Sequence, residues 1–284
     1  MVGVRSFRPA DRAAVRDISY RTGFMGESAE SFWRHKESWA DLWTSYYTDH
    51  EPESLHVATM DDAVVGYLAG CRNTAAMRPS TEELTKAVIR RHWLLFRPGT
   101  AGFLYRGLLD SLRDRERASG DFIDPRWPAH LHIDLLPAAR GTGLGAALME
   151  RWLQQLQEAD SPGCHLLTLV ENRRALRFFE KSGFRNHGNP TLVGGMRGKR
   201  GNGCTSRSWC GTRDRLVSPP APREASHRLS DHADGHRGRR HRRSPAPGPS
   251  TGCLSAANRQ QGGGTEVSSR PGTQRPSPRR LHRS

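Results

Sequence analysis

Between Leu135 and Ala146 the chain reads LLPAARGTGLGA: an apolar extended stretch stops at a proline, turns through three glycines and enters a helix at once. Gly141, Gly143 and Gly145 remove side chains where backbone must approach a ligand closely, and a helix start leaves N–H groups without partners. An anion such as a pyrophosphate suits that geometry, with Arg140 placed to add charge. The spacing departs from the G-x-G-x-x-G of dinucleotide folds, and no repeating βαβ units surround it. By itself the turn fits either a plain helix entry or an anion site at one strand's end in another kind of α/β sheet.

The rest of the pattern agrees. Val2–Phe7 alternates as a strand and feeds a short helix with Ala13, Val15 and Ile18. Phe32, Trp39, Leu42, Trp43 and Tyr46 recur at helical spacing, which predicts one amphipathic helix over 29–47 with an aromatic core stripe. Residues 55–58 and 64–69 read as a hairpin through Asp61-Asp62. Two helical patterns follow, Thr81–Phe96 and Gly102–Arg117, then a strand over Ala129–Leu136 with His130, His132 and Asp134 on one face. A helix over Gly143–Gln157, a buried strand over His165–Val170 and a helix capped by Asn172 and ended by Gly183 complete a mixed α/β order. A further strand begins near Thr191-Leu192-Val193.

Arg140, Gly143 and Gly145 match Arg/Gln-x-x-Gly-x-Gly/Ala, and Glu171–Phe184, ENRRALRFFEKSGF, lies at the proper distance behind. Together these resemble the two cofactor blocks of the GNAT acetyltransferase superfamily, and the resemblance spans Val2 to Val193. The segment AHLHIDLLP and the helical insertion before it are most similar to the acetyltransferase-like domains related to O-GlcNAc hydrolases. The resemblance implies a central mixed sheet flanked by helices, splayed between the strands ending at Leu136 and Val170, with acetyl-CoA wedged in the splay. It also implies that amides of Leu135 and Leu136, left unpaired there, bond the pantetheine arm and polarise the thioester carbonyl. The amides of Gly141, Thr142, Gly143, Leu144, Gly145 and Ala146 would hold the pyrophosphate, and Asn172 would cap its helix and touch the cofactor arm.

Acetyl transfer to an amine needs a base, because an amine of pKa near 10 is only about a thousandth deprotonated at neutral pH. His132 and Asp134, two residues apart on one strand face, are the candidates, as an Asp-oriented imidazole or a short water chain. Where many relatives carry a tyrosine that protonates the leaving thiolate, this chain has Phe179. A thiol of pKa about 8.5 is a tolerable leaving group without it. The acceptor expected is a small-molecule or peptide amine; an acyl-CoA-binding domain without catalysis is the rival.

Composition divides the 284 residues in two. Residues 197–284 hold 19 of the 44 Lys and Arg but 5 of the 29 Asp and Glu, so almost all of the +15 charge lies there and residues 1–196 are nearly neutral. That Arg/Gly/Pro/Ser-rich tail has seven large apolar residues, too few to offset ordering entropy, and disorder is expected. Without interleaved aromatics it makes a poor nucleic-acid arm, even at Arg237–Arg243. The globular part is expected over 1–196, with an insertion at 74–128. Its missing last strand suggests out-of-frame translation from about Lys199: reading Gly203–Cys210 from each codon's third base gives alternating apolar residues, if Arg207 is AGR and the serines are TCN. Five irregularly spaced cysteines suggest neither disulfides nor zinc and point to the cytoplasm. No apolar run or leader predicts a membrane partner.

Overall fold

The computed structural model describes residues 2–113, 122–198 and 201–212. Its centre is one seven-stranded sheet. The first three strands form an antiparallel meander: β1 (Val2–Ser6), β2 (Leu55–Met60) and β3 (Ala63–Cys71). β4 (Ala129–Leu135) continues it antiparallel to β3 and then runs parallel to β5 (Gly163–Leu169). Beyond β5 lie β7 (Gly203–Thr212) and, at the edge, β6 (Arg185–Arg197), both pairings antiparallel.

Period-two alternation sends the strands' apolar residues into two cores. One face packs Ala58, Leu68, Leu131 and Leu166 against Leu148, Trp152 and Leu156 of α5 (Leu144–Glu158) and Phe179 of α6 (Arg173–Lys181). The other packs Leu55, Val57, Tyr67 and Ala69 against Val15 and Ile18 of α1 (Arg12–Thr22) and Tyr47 of α2 (Lys36–Asp49). The His130, His132 and Asp134 face of β4 lies on this second side, under helices rather than in solvent.

The aromatic stripe expected as one helix over 29–47 is broken. Ala29–Ser31 is a 3-10 turn, and α2 starts only at Lys36, where the His35 imidazole accepts from Ser38 N–H at 3.2 Å. Asn73, by contrast, caps α3 (Thr74–Arg91) seven residues ahead of the expected start at Thr81. Pro79 hid that start; it lies inside the helix, where it removes one backbone donor. α4 (Thr100–Arg113) follows, and its expected extension to Arg117 falls outside the described residues.

The sheet also runs past the expected boundary at 196. Residues 203–212, assigned from composition to the tail, form β7 between β5 and β6, with Cys204, Ser206 and Cys210 buried. A strand paired on both edges is held by backbone hydrogen bonds, so small side chains suffice, and no apolar alternation announces it. The chain as written thus supplies the strand that the out-of-frame account took to be lost. Residues 213–284, including Arg237–Arg243, lie outside the described residues.

One close approach couples sheet to helix. A Cβ on Gly70 would lie 2.4 Å from the ring of Trp152, which is fully buried. Gly70→Ala is expected to cost about 1–3 kcal/mol by overpacking, read as a lower urea midpoint in circular dichroism.

Candidate active site

The parallel pairing of β4 with β5 consists of Ala129↔Cys164 and His130↔His165. Beyond these pairs the strands part: β4 stays with β3 as far as Leu135, while β5 continues on β7 to Leu169↔Ser206. Leu136 N–H donates to Val65 O at 2.9 Å, so it points at β3. Strand alternation then turns the Leu135 N–H the other way, into the gap. Against the expectation of two free amides, the β3 ladder uses the Leu136 donor. The Leu135 carbonyl, on the gap side, accepts from Arg140 Nε at 2.9 Å.

The gap opens into a cavity of about 440 Å³, within the size range of small-molecule sites. Ile133, Asp134 and Leu135 of β4 line one wall, the glycine turn the floor, and Asn172, Phe178 and Phe179 the opposite wall. Gly141 and Gly143 hold φ of +80° and +88°, the left-handed region, and a Cβ on either would meet nothing within 4 Å. Ala147 N–H donates to Gly143 O at 3.1 Å as the first bond of α5, which leaves the amides of Leu144, Gly145 and Ala146 without partners in the helix. Those donors carry the positive end of the helix dipole.

Two predicted residues do other work with their side chains. Thr142 Oγ1 donates to Ala139 O at 2.8 Å and closes the turn, and the Leu144 side chain is buried in the α5 core. Asn172 Oδ1 accepts from Ala175 N–H at 3.2 Å, so it caps α6 while lining the cavity. Arg140 is not a free charge at the mouth: besides Leu135 O it bonds Gly26 O, tying the end of β4 to the loop after α1. Burial, then the neighbouring Arg174 charge, hold its pKa below the usual arginine value. Arg174 was missed in the sequence, as was Gly26. A Cβ on Gly26 would lie 2.8 Å from an Nη2 of both Arg140 and Arg174, so two guanidinium groups converge there beside the cavity.

Asp134 lines the cavity and takes a hydrogen bond from Tyr67 Oη at 2.8 Å. Burial lifts its carboxyl from 3.8 to about 6, against the opposing pull of Tyr67 and Thr22 hydroxyls and the Arg140 charge. His132 does not orient on Asp134; its ring meets Trp43 and Tyr47 edge-on, at 5.8 and 5.7 Å between centroids. Burial, then the charge of His165, lower its pKa to about 4. His130 is structural: Thr74 Oγ1 donates to Pro128 O, so it accepts from Nδ1–H at 2.7 Å, and Nε2 accepts from Tyr47 Oη at 2.8 Å.

Residues 23–184, more than half of the chain, match the Acetyltransferase (GNAT) family. The chain belongs to that family. The crystal structure of SsHAT is similar to it at 27% identity and a TM-score of 0.56, covering 73% of this chain and 96% of that one. The yncA protein of Salmonella typhimurium, solved with its cofactor acetyl-CoA, shares 15% identity at a TM-score of 0.46 and covers 78% of this chain and 98% of its own. The ribosomal-protein-S18-alanine N-acetyltransferase of Escherichia coli shares 13% at 0.44, with 78% and 98% covered.

GNAT proteins use acetyl-CoA as cosubstrate, and acyl-CoA-dependent acetyl transfer is the general activity of this fold. The cavity fits that molecule on its own evidence: open glycine positions, partnerless amides at a helix start and paired guanidinium groups suit a diphosphate, while Ile133, Ala175 and Phe178 suit an apolar arm. Binding is expected to raise the unfolding temperature as acetyl-CoA passes its dissociation constant. Arg174→Ala should weaken binding about fivefold at low salt and less at high salt, without destabilising the free protein, since Arg174 repels Arg140. Isothermal titration at two ionic strengths checks both.

Proposed function

We propose that this GNAT protein is an N-acetyltransferase that moves the acetyl group directly to a small-molecule or peptide amine in a ternary complex, with Asp134 as the base. The observation that carries it is a carboxylate inside the cofactor cavity with a pKa raised to about 6. Taking a proton from an ammonium of pKa near 10 is uphill by about four units for Asp134 and about six for His132, a difference of roughly 3 kcal/mol. The carboxylate also attracts the ammonium and so recruits the acceptor. His132, neutral through the physiological range, shapes the acceptor side with Trp43 and Tyr47.

In this reading Asp134 takes one proton as the amine nitrogen forms its bond to the carbonyl carbon and the carbon–sulfur bond breaks. Of the two protons then left on the nitrogen, one goes to the departing thiolate through water and the other stays as the amide N–H. The Leu135 N–H donates to the carbonyl oxygen as negative charge grows there. Leu144, Gly145 and Ala146 amides and Arg174 hold the diphosphate. Phe179, buried against Phe178 and Phe184, offers no proton, which favours the rival reading of an acyl-CoA binder without turnover.

Thiol release across a panel of amines separates the two, and a binder without turnover would release none. For an enzyme, kcat/KM should climb with pH through about 6 as Asp134 ionises. Asp134→Asn should abolish that limb and cost about 10²–10⁴ in kcat/KM, with acetyl-CoA affinity unchanged. His132→Ala should cost less than about tenfold.

A further inference from the structure

Outside the cavity lining, the turn joining α3 to α4 holds three large apolar side chains out in solvent: Trp93 is 69% exposed, Leu95 61% and Phe96 78%. The turn is built, not loose. Leu94 is fully buried against the helical core, His92 Nε2 meets Asp41 Oδ2 at 2.8 Å, and Arg97 Nε donates to His92 O at 2.8 Å. Trp93 itself adopts φ of +52°, a left-handed conformation that a bulky side chain enters only under constraint. α4 then carries Tyr105, Leu108 and Leu112 exposed at i, i+3 and i+7. Its polarity is reversed: Asp110 faces β6, bonding Gly195 N–H at 2.9 Å and Arg197 at 2.8 Å, and Gly107 touches the backbone of Gly194.

Arg90 and Arg91 precede this apolar tip and Arg97 follows it, all three exposed. Neither Arg90 nor Arg91 has an ion-pair partner among the described residues. We propose that the α3–α4 turn and the outer stripe of α4 form a docking surface for an anionic lipid bilayer. The arginines fit phosphate headgroups, and Trp93, Leu95 and Phe96 fit the boundary between headgroups and acyl chains. A second copy of the chain is the poorer occupant, because an isologous contact would press two sets of these arginines together. Side chains protruding this far need a matching groove on a protein but none in a fluid bilayer. No helix among the described residues is long and apolar enough to cross a membrane, so the contact is peripheral.

The test uses the full chain, whose basic residues 197–284 contribute equally to wild type and variant. Wild type should co-sediment with phosphatidylcholine vesicles containing phosphatidylglycerol, less with phosphatidylcholine alone, and its tryptophan fluorescence should be quenched by brominated acyl chains. Trp93→Asn/Phe96→Ser should lower vesicle partitioning about tenfold or more and remove the quenching, with thiol release unchanged. Asn tolerates the left-handed backbone, so the variant is expected to fold. Partitioning equal to wild type in the variant, or no quenching in wild type, overturns the proposal. So does a wild-type dimer in light scattering that the double substitution makes monomeric while vesicles bind neither.

Discussion

The candidate active site depends on a parallel ladder that stops after two residue pairs. A strand edge that loses its neighbour leaves backbone groups that must find partners or stand open, at about 1–3 kcal/mol for each one buried and unmet. Here the two groups of Leu135 have different fates. Its carbonyl is taken by Arg140, whose guanidinium also bonds Gly26 and thereby fixes the loop beside the gap. Its N–H is left facing the cavity. Because β7 supports the outer edge of β5 and β3 the outer edge of β4, the sheet sustains the opening without losing its frame.

The polar face of β4 shows how such an opening acquires chemistry. His130 is satisfied at both ring nitrogens and stays neutral, a structural histidine of the core. Two positions further along, burial without an ion-pair partner sets in, and His132 and Asp134 shift in opposite directions toward their neutral forms. For Asp134 the folded value lies above 3.8, so folding is favoured while the group is protonated and that contribution is lost as pH rises through about 6. A carboxylate placed where its ionisation costs stability, and lining the cavity, is what supports the proposal of Asp134 as the base.

How far the sequence foretold this depends on range. Gly141, Gly143 and Asn172 act through backbone within a few residues, and the strand–turn–helix and capping patterns expose them directly. The side of the sheet on which His132 and Asp134 lie follows from alternation, but its cover by α1 and α2 is tertiary and invisible locally. The use of the Leu136 amide depends on its register with Val65, seventy-one positions earlier in the chain. Arg174 gains meaning only from its meeting with Arg140 over Gly26. β7 was missed because a strand bonded on both edges can be built of glycine, serine and cysteine.

Charge carries the same lesson at larger scale. Near neutrality of the first 196 residues argues against a basic domain, yet neutrality is a sum, and the acids are not spread evenly. Asp17, Asp41 and Asp49 on α1 and α2 are engaged by Lys36, Arg16 and Arg12, and Glu51 and Glu53 by Arg72. That layer neutralises itself. Outside that layer arginines gather at two places among others, around Gly26 where Arg140 and Arg174 converge, and around the α3–α4 turn at Arg90, Arg91 and Arg97. At the first, the neighbouring Arg174 charge lowers the Arg140 pKa, a like-charge cost that a bound anion relieves. The first faces a cavity with partnerless amides and suits a soluble diphosphate. The second surrounds exposed aromatic rings with no cavity, and suits an extended anionic surface.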